Sequence, residues 1–285
     1  MSRWSMETRK RYDLTLAAHD YPAWDGRPKR TILLCSEQRS GSTLLGEALY
    51  FAGGLGCPLE YFHIGFRPDF VARWATDSAD AYLNAVHRHR TGPNGTFSAK
   101  LFWRDVLDLL AERDLPLRDH LARSQPNDTP PDLYQRAAAT LGPLFDGATF
   151  LHLKRLDRVR GAVSGDLAEQ TGLWRAIPGV GEHEPLTDPE FDFDRIAARI
   201  ANTAWAHAHW ANLFAAIGAT PISLSYESLK RDYAGSVGSV LRALGSDVAP
   251  TAPRMNRQSD RRSEDFALRY LHEAQARVIA SKGSV

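Results

Sequence analysis

The segment ILLCSEQRSGSTLLGEAL, residues 32–49, decides the fold of this chain. It begins as an apolar strand, turns through small polar residues at Gly41, and resumes with apolar residues at helical spacing. We expect the helix to begin near Ser42 and to end at the pair Gly53-Gly54. Backbone N–H groups at the start of such a helix lack intrahelical partners and point to one place. The segment therefore predicts an anion-binding loop between a strand and a helix.

The side chains of this loop also favour an anion. Ser40, Ser42 and Thr43 add hydroxyls beside the amides, and Arg39 adds a planar cation suited to a phosphate or sulfate oxygen. The spacing is similar to the ATP-binding pattern G-x-x-x-x-G-K-[ST], but Ser36 replaces the first Gly and Ser42 replaces the Lys. The missing Lys disfavours a P-loop kinase or NTPase. An ordinary strand-to-helix turn capped by a serine remains the alternative.

Further strands and helices alternate along the chain. Long stretches with apolar residues at i, i+3 and i+4 separate four β-rich runs, and the longest stretch, near 192–217, should end at Gly218. Apolar strands joined by helical crossovers predict an α/β fold with a mainly parallel central sheet flanked by helices, a P-loop-like three-layer sandwich. The β-rich runs are TILLCS (31–36), TFSAKLFW (96–103), TFLHLKR (149–155) and TPISLSYE (220–227).

Composition limits the classes of function. The 285 residues include 35 basic and 34 acidic side chains, so no bulk charge points to nucleic acid or an anionic membrane. A hydrophobic content of 43% suits one compact domain, predicted over 29–285 after an N-terminal arm over 1–28. Two cysteines, Cys35 and Cys57, predict neither a disulfide framework nor a metal cluster. Without a signal-peptide pattern or a spanning apolar run, a cytoplasmic protein is expected.

Five runs in one order carry a resemblance. Together they resemble the Stf0 family of bacterial sulfotransferases over about residues 31–270. The resemblance implies a sulfotransferase fold and transfer of a sulfuryl group from 3′-phosphoadenosine 5′-phosphosulfate (PAPS) to a hydroxyl of a carbohydrate, glycolipid or other small molecule, with no metal. The five runs are SEQRSGSTLL (36–45), CPLEYF (57–62), KLFW (100–103), KRLDRVRGAVS (154–164) and RQSDRRSEDF (257–266).

In that family the strand-loop-helix segment holds the 5′-phosphosulfate of the donor. The resemblance therefore implies donor contacts from five consecutive residues, Arg39, Ser40, Gly41, Ser42 and Thr43. It also implies that cations replace magnesium in neutralising the donor.

The family places a second donor contact on the 3′-phosphate. This implies that Arg155 and Ser164 bind that group. An ion pair of Arg155 with Asp157 or Asp166, together with a surface hydroxyl, is the alternative.

Weaker donor positions follow near the C-terminus. Tyr226 resembles part of the adenine-side segment of sulfotransferases, and Arg257 begins a basic cluster with Arg261 and Arg262. The alternatives are a core tyrosine and a solvated basic face.

For the acceptor, the resemblance assigns Glu60 as the general base that removes the hydroxyl proton. Lys100 is the expected cation near the transferring group, against the alternative of a surface lysine. A loop carboxylate that caps a helix or pairs with Arg67 is the alternative for Glu60, and His63 is a second candidate base.

Other features stay open. The loops between Trp103 and Thr149 and at 174–192 are where acceptor pockets are commonly built, so the acceptor is not identified. His207 and His209, at i and i+2, face different sides of a helix and are interpreted as structural. Members of the resembling family can form homodimers, and a non-catalytic nucleotide-binding module is a further alternative.

Overall fold

The computed structural model describes residues 13–174, 186–255 and 261–282. Its sheet has four strands, β1 (Arg30–Ser36), β2 (Thr96–Phe102), β3 (Thr149–Lys154) and β4 (Ile222–Ser225). All neighbouring strands are parallel, in the order β2-β1-β3-β4. The prediction of a mainly parallel sheet is confirmed.

Helices fill most of the chain between and after the strands. No helix in the described part of the chain is both long and apolar enough to cross a membrane. The helices are α1 (Ser42–Ala52), α2 (Arg67–Trp74), α3 (Ala79–Arg90), α4 (Trp103–Ala111), α5 (Leu115–Arg123), α6 (Pro131–Thr140), α7 (Gly142–Phe145), α8 (Arg158–Thr171), α9 (Phe193–Ala216), α10 (Tyr226–Arg231), α11 (Tyr233–Ala243) and α12 (Arg261–Lys282).

The central strand β1 is buried on both faces. Leu33 and Cys35 belong to the larger apolar cluster, to which α3, α4 and α9 also contribute. Ile32 and Leu34 belong to a second cluster on the opposite face, with α1 and α11. Because side chains alternate along a strand, this division means that helices cover both sides of the sheet. The three-layer prediction is confirmed.

The strand order predicts a ligand crevice at the carboxyl ends of β1 and β3. The chain leaves β1 to form β2 on one side, then returns to the other side of β1 as β3. In open α/β sheets, ligands bind outside the carboxyl ends of the strands where connections diverge in this way. The loops after β1 and β3 are therefore the expected ligand-binding segments.

Two strands end earlier than predicted because helices begin at once. The amide of Phe102 donates to the Asp105 carboxylate at 2.8 Å, so α4 starts directly after β2. Ser225 Oγ accepts from the amide of Ser228 at 3.1 Å, which caps α10 and limits β4 to residues 222–225. Such N-terminal caps satisfy amides that a helix cannot pair internally.

The described part of the predicted arm packs against α3. Leu14 is 1% exposed and belongs to the larger apolar cluster. The buried guanidinium of Arg90 donates to the carbonyl of Leu14 and lies 2.9 Å from the Asp20 carboxylate. The division between an arm at 1–28 and a single domain at 29–285 stays a prediction.

Candidate active site

The loop after β1 forms the predicted cradle. Gly41 lies in the left-handed region at φ 86°, and α1 begins at the next residue. The first helical bond runs from the amide of Leu45 to the carbonyl of Gly41 at 3.0 Å, so the preceding amides have no carbonyl of α1 to bind. The hydroxyl of Ser40 donates to the carbonyl of Glu37 at 2.6 Å, inside the loop. Ser40 is thus buried and paired within the loop.

Lys100 links this cradle to Glu60. Its ammonium lies 2.7 Å from Glu60 Oε1 and donates to Thr43 Oγ1 at 3.0 Å. The Lys100 side chain is fully buried, which contradicts the surface-lysine alternative. Among the described residues Arg67 pairs with Glu112 instead, so Glu60 is the partner of Lys100 and not of Arg67.

A backbone contact brings Glu60 to this lysine. Leu59 forms an isolated parallel bridge with Ala99, and the amide of Lys100 donates to the carbonyl of Leu59 at 2.8 Å. The segment CPLEYF thus runs beside β2 for one residue pair. Glu60 follows Leu59 and Lys100 follows Ala99, so this bridge brings the two charged side chains together.

Charges hold Glu60 ionised. Burial opposes ionisation, but the charges of Lys100 and Arg104 outweigh it and set the pKa of Glu60 below its ordinary value. Burial and the charge of Arg104 lower the pKa of His63 to about 4, and its Nδ1 accepts from the amide of Gly65 at 2.9 Å. At neutral pH, Glu60 is a carboxylate and His63 is a neutral imidazole.

Arg39 and Ser164 meet across the crevice. Arg39 Nε donates to Ser164 Oγ at 2.9 Å, and its NH1 donates to the carbonyl of Trp174. Burial and the nearby charge of Arg155 lower the pKa of Arg39 to about 10. Two guanidinium groups therefore lie close together at the cradle, an arrangement that attracts anions.

Arg155 lies on the other side of the loop. Its NH1 donates to the carbonyl of Arg39 at 3.1 Å, and its guanidinium lies 4.7 Å from the ring centre of Tyr226. The alternative ion pairs are wrong for the described residues, because Arg160 binds Asp157 and Arg195 binds Asp166. Arg155 Nε is buried and has no hydrogen-bond partner in the described part of the chain.

Tyr226 packs directly on the cradle. A Cβ atom added at Gly41 would lie 2.8 Å from Tyr226 Cδ2, so only glycine fits under this ring. The Tyr226 ring therefore contacts both the Gly41 loop and the guanidinium of Arg155. Its predicted adenine contact stays a prediction.

The C-terminal arginines are only partly described. Arg257 lies outside the described residues. Arg261 is almost fully exposed and lies 4.0 Å from Asp265, and Arg262 lies 2.6 Å from Asp188. The two described arginines thus pair with acidic residues, as in a solvated face.

Sequence reasoning missed four polar residues of this region. Arg104 follows KLFW directly and lies 4.0 Å from Glu60 Oε2, with Gln38 at its guanidinium. Glu37 is buried and accepts from the amide of Trp103 at 2.9 Å. Glu227 accepts from the amides that follow Arg155. Their positions inside or beside the matched runs were the available signal.

The histidines of α9 contact other aromatic and histidine side chains. His209 is fully buried and stacks on Trp103 at 5.0 Å, and Trp210 is also fully buried. His207 Nδ1 lies 3.1 Å from His152 Nε2. The described residues contain no group of three or more His, Cys, Asp or Glu arranged to hold a metal ion.

Comparison of the sequence with known proteins identifies one family. The model of the Stf0 sulphotransferase family matches residues 31–273. Trehalose 2-sulfotransferase of Mycobacterium tuberculosis is 31% identical over 276 residues, covering 87% of this chain and 97% of that protein. Trehalose 2-sulfotransferase of Mycolicibacterium smegmatis is 30% identical over 275 residues, covering 85% of this chain and 95% of that protein. The alignment with a solved sulfotransferase domain from the curacin biosynthetic pathway covers 84% of this chain and 83% of that domain, at 15% identity and a TM-score of 0.39.

Proposed function

The chain belongs to the Stf0 family of sulfotransferases, and from this premise we propose that it moves a sulfuryl group from PAPS to a hydroxyl of a sugar or other small-molecule acceptor. The two mycobacterial relatives are named for trehalose. Their names support a sugar acceptor without identifying it here. The observation that carries the proposal is the single ammonium of Lys100, which binds both Glu60 and Thr43 of the cradle.

The residues of the crevice fit the donor. Phosphate and sulfate need amides and cations, and the start of α1, Arg39 and Arg155 offer both. Arg155 Nε is buried without a partner in the described residues, a donor group that an anion would satisfy. We assign the 5′-phosphosulfate to residues 39–43, and the 3′-phosphate to Arg155 with Ser164.

The proposed chemistry assigns one proton to Glu60. As the acceptor oxygen forms its bond to sulfur, the carboxylate of Glu60 takes the hydroxyl proton. The donor supplies the sulfuryl group, and the sulfur–oxygen bond to the departing phosphate breaks, which leaves 3′-phosphoadenosine 5′-phosphate (PAP). Lys100 and the amides of the cradle stabilise the oxygens that gain negative charge.

Donor binding is the first test. Calorimetric titration with PAP in magnesium-free buffer should show tight binding by the wild type. Arg39→Ala and Arg155→Ala should each weaken it by at least about tenfold, because each removes a charged hydrogen-bond donor. Arg277→Ala is the control, since this arginine of α12 pairs with Asp194 of α9 and Glu273 of α12.

The outcome separates the classes of function. No PAP binding by folded wild-type protein would overturn the proposal. Magnesium-dependent ATP binding without PAP binding would favour a kinase or NTPase. Tight PAP binding with no turnover of any sugar would favour a non-catalytic nucleotide-binding module.

The base is tested by two neighbouring substitutions. Glu60→Gln should lower kcat by about a hundredfold or more with PAP affinity retained, because the amide cannot accept the proton. His63→Asn keeps a polar group near Gly65 and should change kcat by less than about tenfold. The reverse ranking would assign the base to His63.

A further inference from the structure

Arg104 stands beside the proposed base. It is the second residue of α4, directly after β2, and its NH2 lies 4.0 Å from Glu60 Oε2. Lys100 binds the other oxygen of the same carboxylate at 2.7 Å. The two cations therefore flank Glu60, and only Lys100 also contacts the cradle through Thr43.

The guanidinium of Arg104 is held in place by its neighbours. It lies 5.2 Å from the ring centre of Phe102, and its Nε lies 3.6 Å from Asp105 Oδ1. With the Gln38 amide oriented so that its oxygen faces Arg104, this oxygen lies 3.1 Å from NH1 and 3.3 Å from NH2. Fixing a guanidinium in advance lowers the entropy cost of binding a ligand.

Arg104 differs from Lys100 and Glu60 in exposure. Its side chain is 41% exposed, whereas Glu60 is 13% exposed and Lys100 is fully buried. Of these three side chains, Arg104 is therefore the most accessible to a ligand that approaches Glu60. Between the two cations that flank Glu60, Arg104 is the one available to a bound acceptor.

The nearby carboxyl groups leave this charge only partly balanced. Glu60 is matched by Lys100 at the shorter distance. Burial raises the pKa of Asp105 to about 7 and that of Glu37 to about 8. Burial thus favours the protonated form of these two groups at neutral pH, so they balance the charge of Arg104 only in part.

We propose that Arg104 determines acceptor specificity by binding an oxyanion of the acceptor. This oxyanion is a carboxylate or phosphate on the same molecule as the hydroxyl that Glu60 deprotonates. The inference rests on the proposed function. A planar guanidinium binds such groups through two parallel hydrogen bonds. The expected acceptor class is an acidic or phosphorylated polyol. A neutral sugar lacks the group that Arg104 recognises.

The test compares three acceptors that differ at one carbon: glucose, glucuronate and glucose 6-phosphate. Binding to the protein saturated with PAP is measured by calorimetry, so that anions cannot occupy the donor site, and kcat/KM is measured with PAPS. The wild type should favour at least one anionic acceptor over glucose by about tenfold or more. Preference for glucuronate or for glucose 6-phosphate assigns the oxyanion as carboxylate or phosphate.

Substitutions isolate the role of Arg104. Arg104→Gln should reduce the anionic-to-neutral ratio to about one to three, and Arg104→Lys should retain part of it, because the ammonium keeps charge but not bidentate geometry. PAP affinity should stay within about twofold of wild type in both variants, since Arg104 does not contact the cradle loop at residues 39–43.

Two results would overturn this inference but not the proposed function. In the first, the wild type binds PAP but its kcat/KM is about the same for anionic and neutral acceptors. In the second, Arg104→Gln loses activity equally on all three acceptors. The second result would make Arg104 a positioning residue for Glu60. Absence of PAP binding would remove the proposed function itself, and the inference with it.

Discussion

The carboxylate of Glu60 and the ammonium of Lys100 lie 2.7 Å apart in the interior, and the same ammonium donates to Thr43 at the start of α1. One buried cation thus joins the segment CPLEYF, strand β2 and the anion cradle. Buried ion pairs are costly to break, because the remaining charge loses both its partner and its water. This pair links stability to the proposed chemistry.

Removing only one charge of the Glu60–Lys100 pair should destabilise the protein more than removing both charges together. Lys100→Met leaves the Glu60 carboxylate without its partner and should lower the free energy of unfolding by about 3 kcal/mol. The double variant Lys100→Met/Glu60→Gln should lose less than the sum of the single variants, with a coupling energy of at least about 1 kcal/mol. Urea unfolding of the four proteins at pH 7.5 measures this.

The control is an exposed pair of similar geometry. Arg88 lies 3.2 Å from Asp25, with side chains 54% and 92% exposed. The cycle of Arg88→Met and Asp25→Asn should give a coupling energy below about 0.5 kcal/mol. Equal coupling in the two cycles would contradict the special role of the buried pair.

Gly41→Ala should disrupt the cradle. The added methyl would meet the Tyr226 ring at 2.8 Å and force an L-residue to φ 86°. We expect a loss of about 2 kcal/mol in unfolding free energy and a drop in PAP affinity of at least about tenfold. Urea unfolding and calorimetry measure the two effects.

Gly53→Ala is the matched control for this substitution. Gly53 has φ 77°, but nothing lies within 4 Å of its added Cβ. It should therefore show backbone strain without a loss of PAP affinity. If both variants bind PAP like the wild type, the cradle is not the donor site.

Glu227 should position the loop that carries Arg155. Its two carboxylate oxygens accept from the amides of Leu156 at 3.0 Å and Asp157 at 3.1 Å. Glu227→Ala removes both acceptors and should raise the Kd for PAP about three- to tenfold, with kcat almost unchanged at saturating donor. Glu227→Gln keeps one acceptor oxygen and should recover part of the affinity. No recovery, or a fall in kcat instead, would contradict this role.

Acidification should destabilise the native state below about pH 6.5. Several buried or half-buried histidines have a pKa lowered by burial to about 3 or 4, so the unfolded chain binds protons there that the native state does not. Where the unfolded state binds more protons, stability falls as the pH falls. These histidines are His63, His87, His152, His207 and His209.

Two carboxyl groups act in the opposite direction. Burial raises the pKa of Glu37 to about 8 and that of Asp105 to about 7, so the native state holds protons that the unfolded chain releases. Stability should therefore be highest near neutral pH and fall towards pH 5, where the histidines outnumber these carboxyls. Urea unfolding at pH 7.5, 6.5 and 5.5 checks this, and a rise in stability towards pH 5.5 would contradict it.

Local pattern was sufficient for the strands and for most helices of the crevice. The apolar run at 32–35, the small residues of the loop and Gly53 predicted β1, the strand-to-helix loop and the end of α1, and the structure has all three. These features depend on side-chain alternation and on backbone conformation within a few residues. Strand ends were less predictable, because the caps at Asp105 and Ser225 start helices inside apolar runs.

The order of residues is enough to establish the main strands and helices, the family resemblance and the chemistry of the residues in the five runs. Only the tertiary structure decided which of these residues meet. Arg39 reaches Ser164 across 125 positions of the chain, and Lys100 is buried against Glu60 because Leu59 pairs with Ala99. Such contacts depend on strand order and register, which are fixed by packing over the whole domain and not by any local pattern.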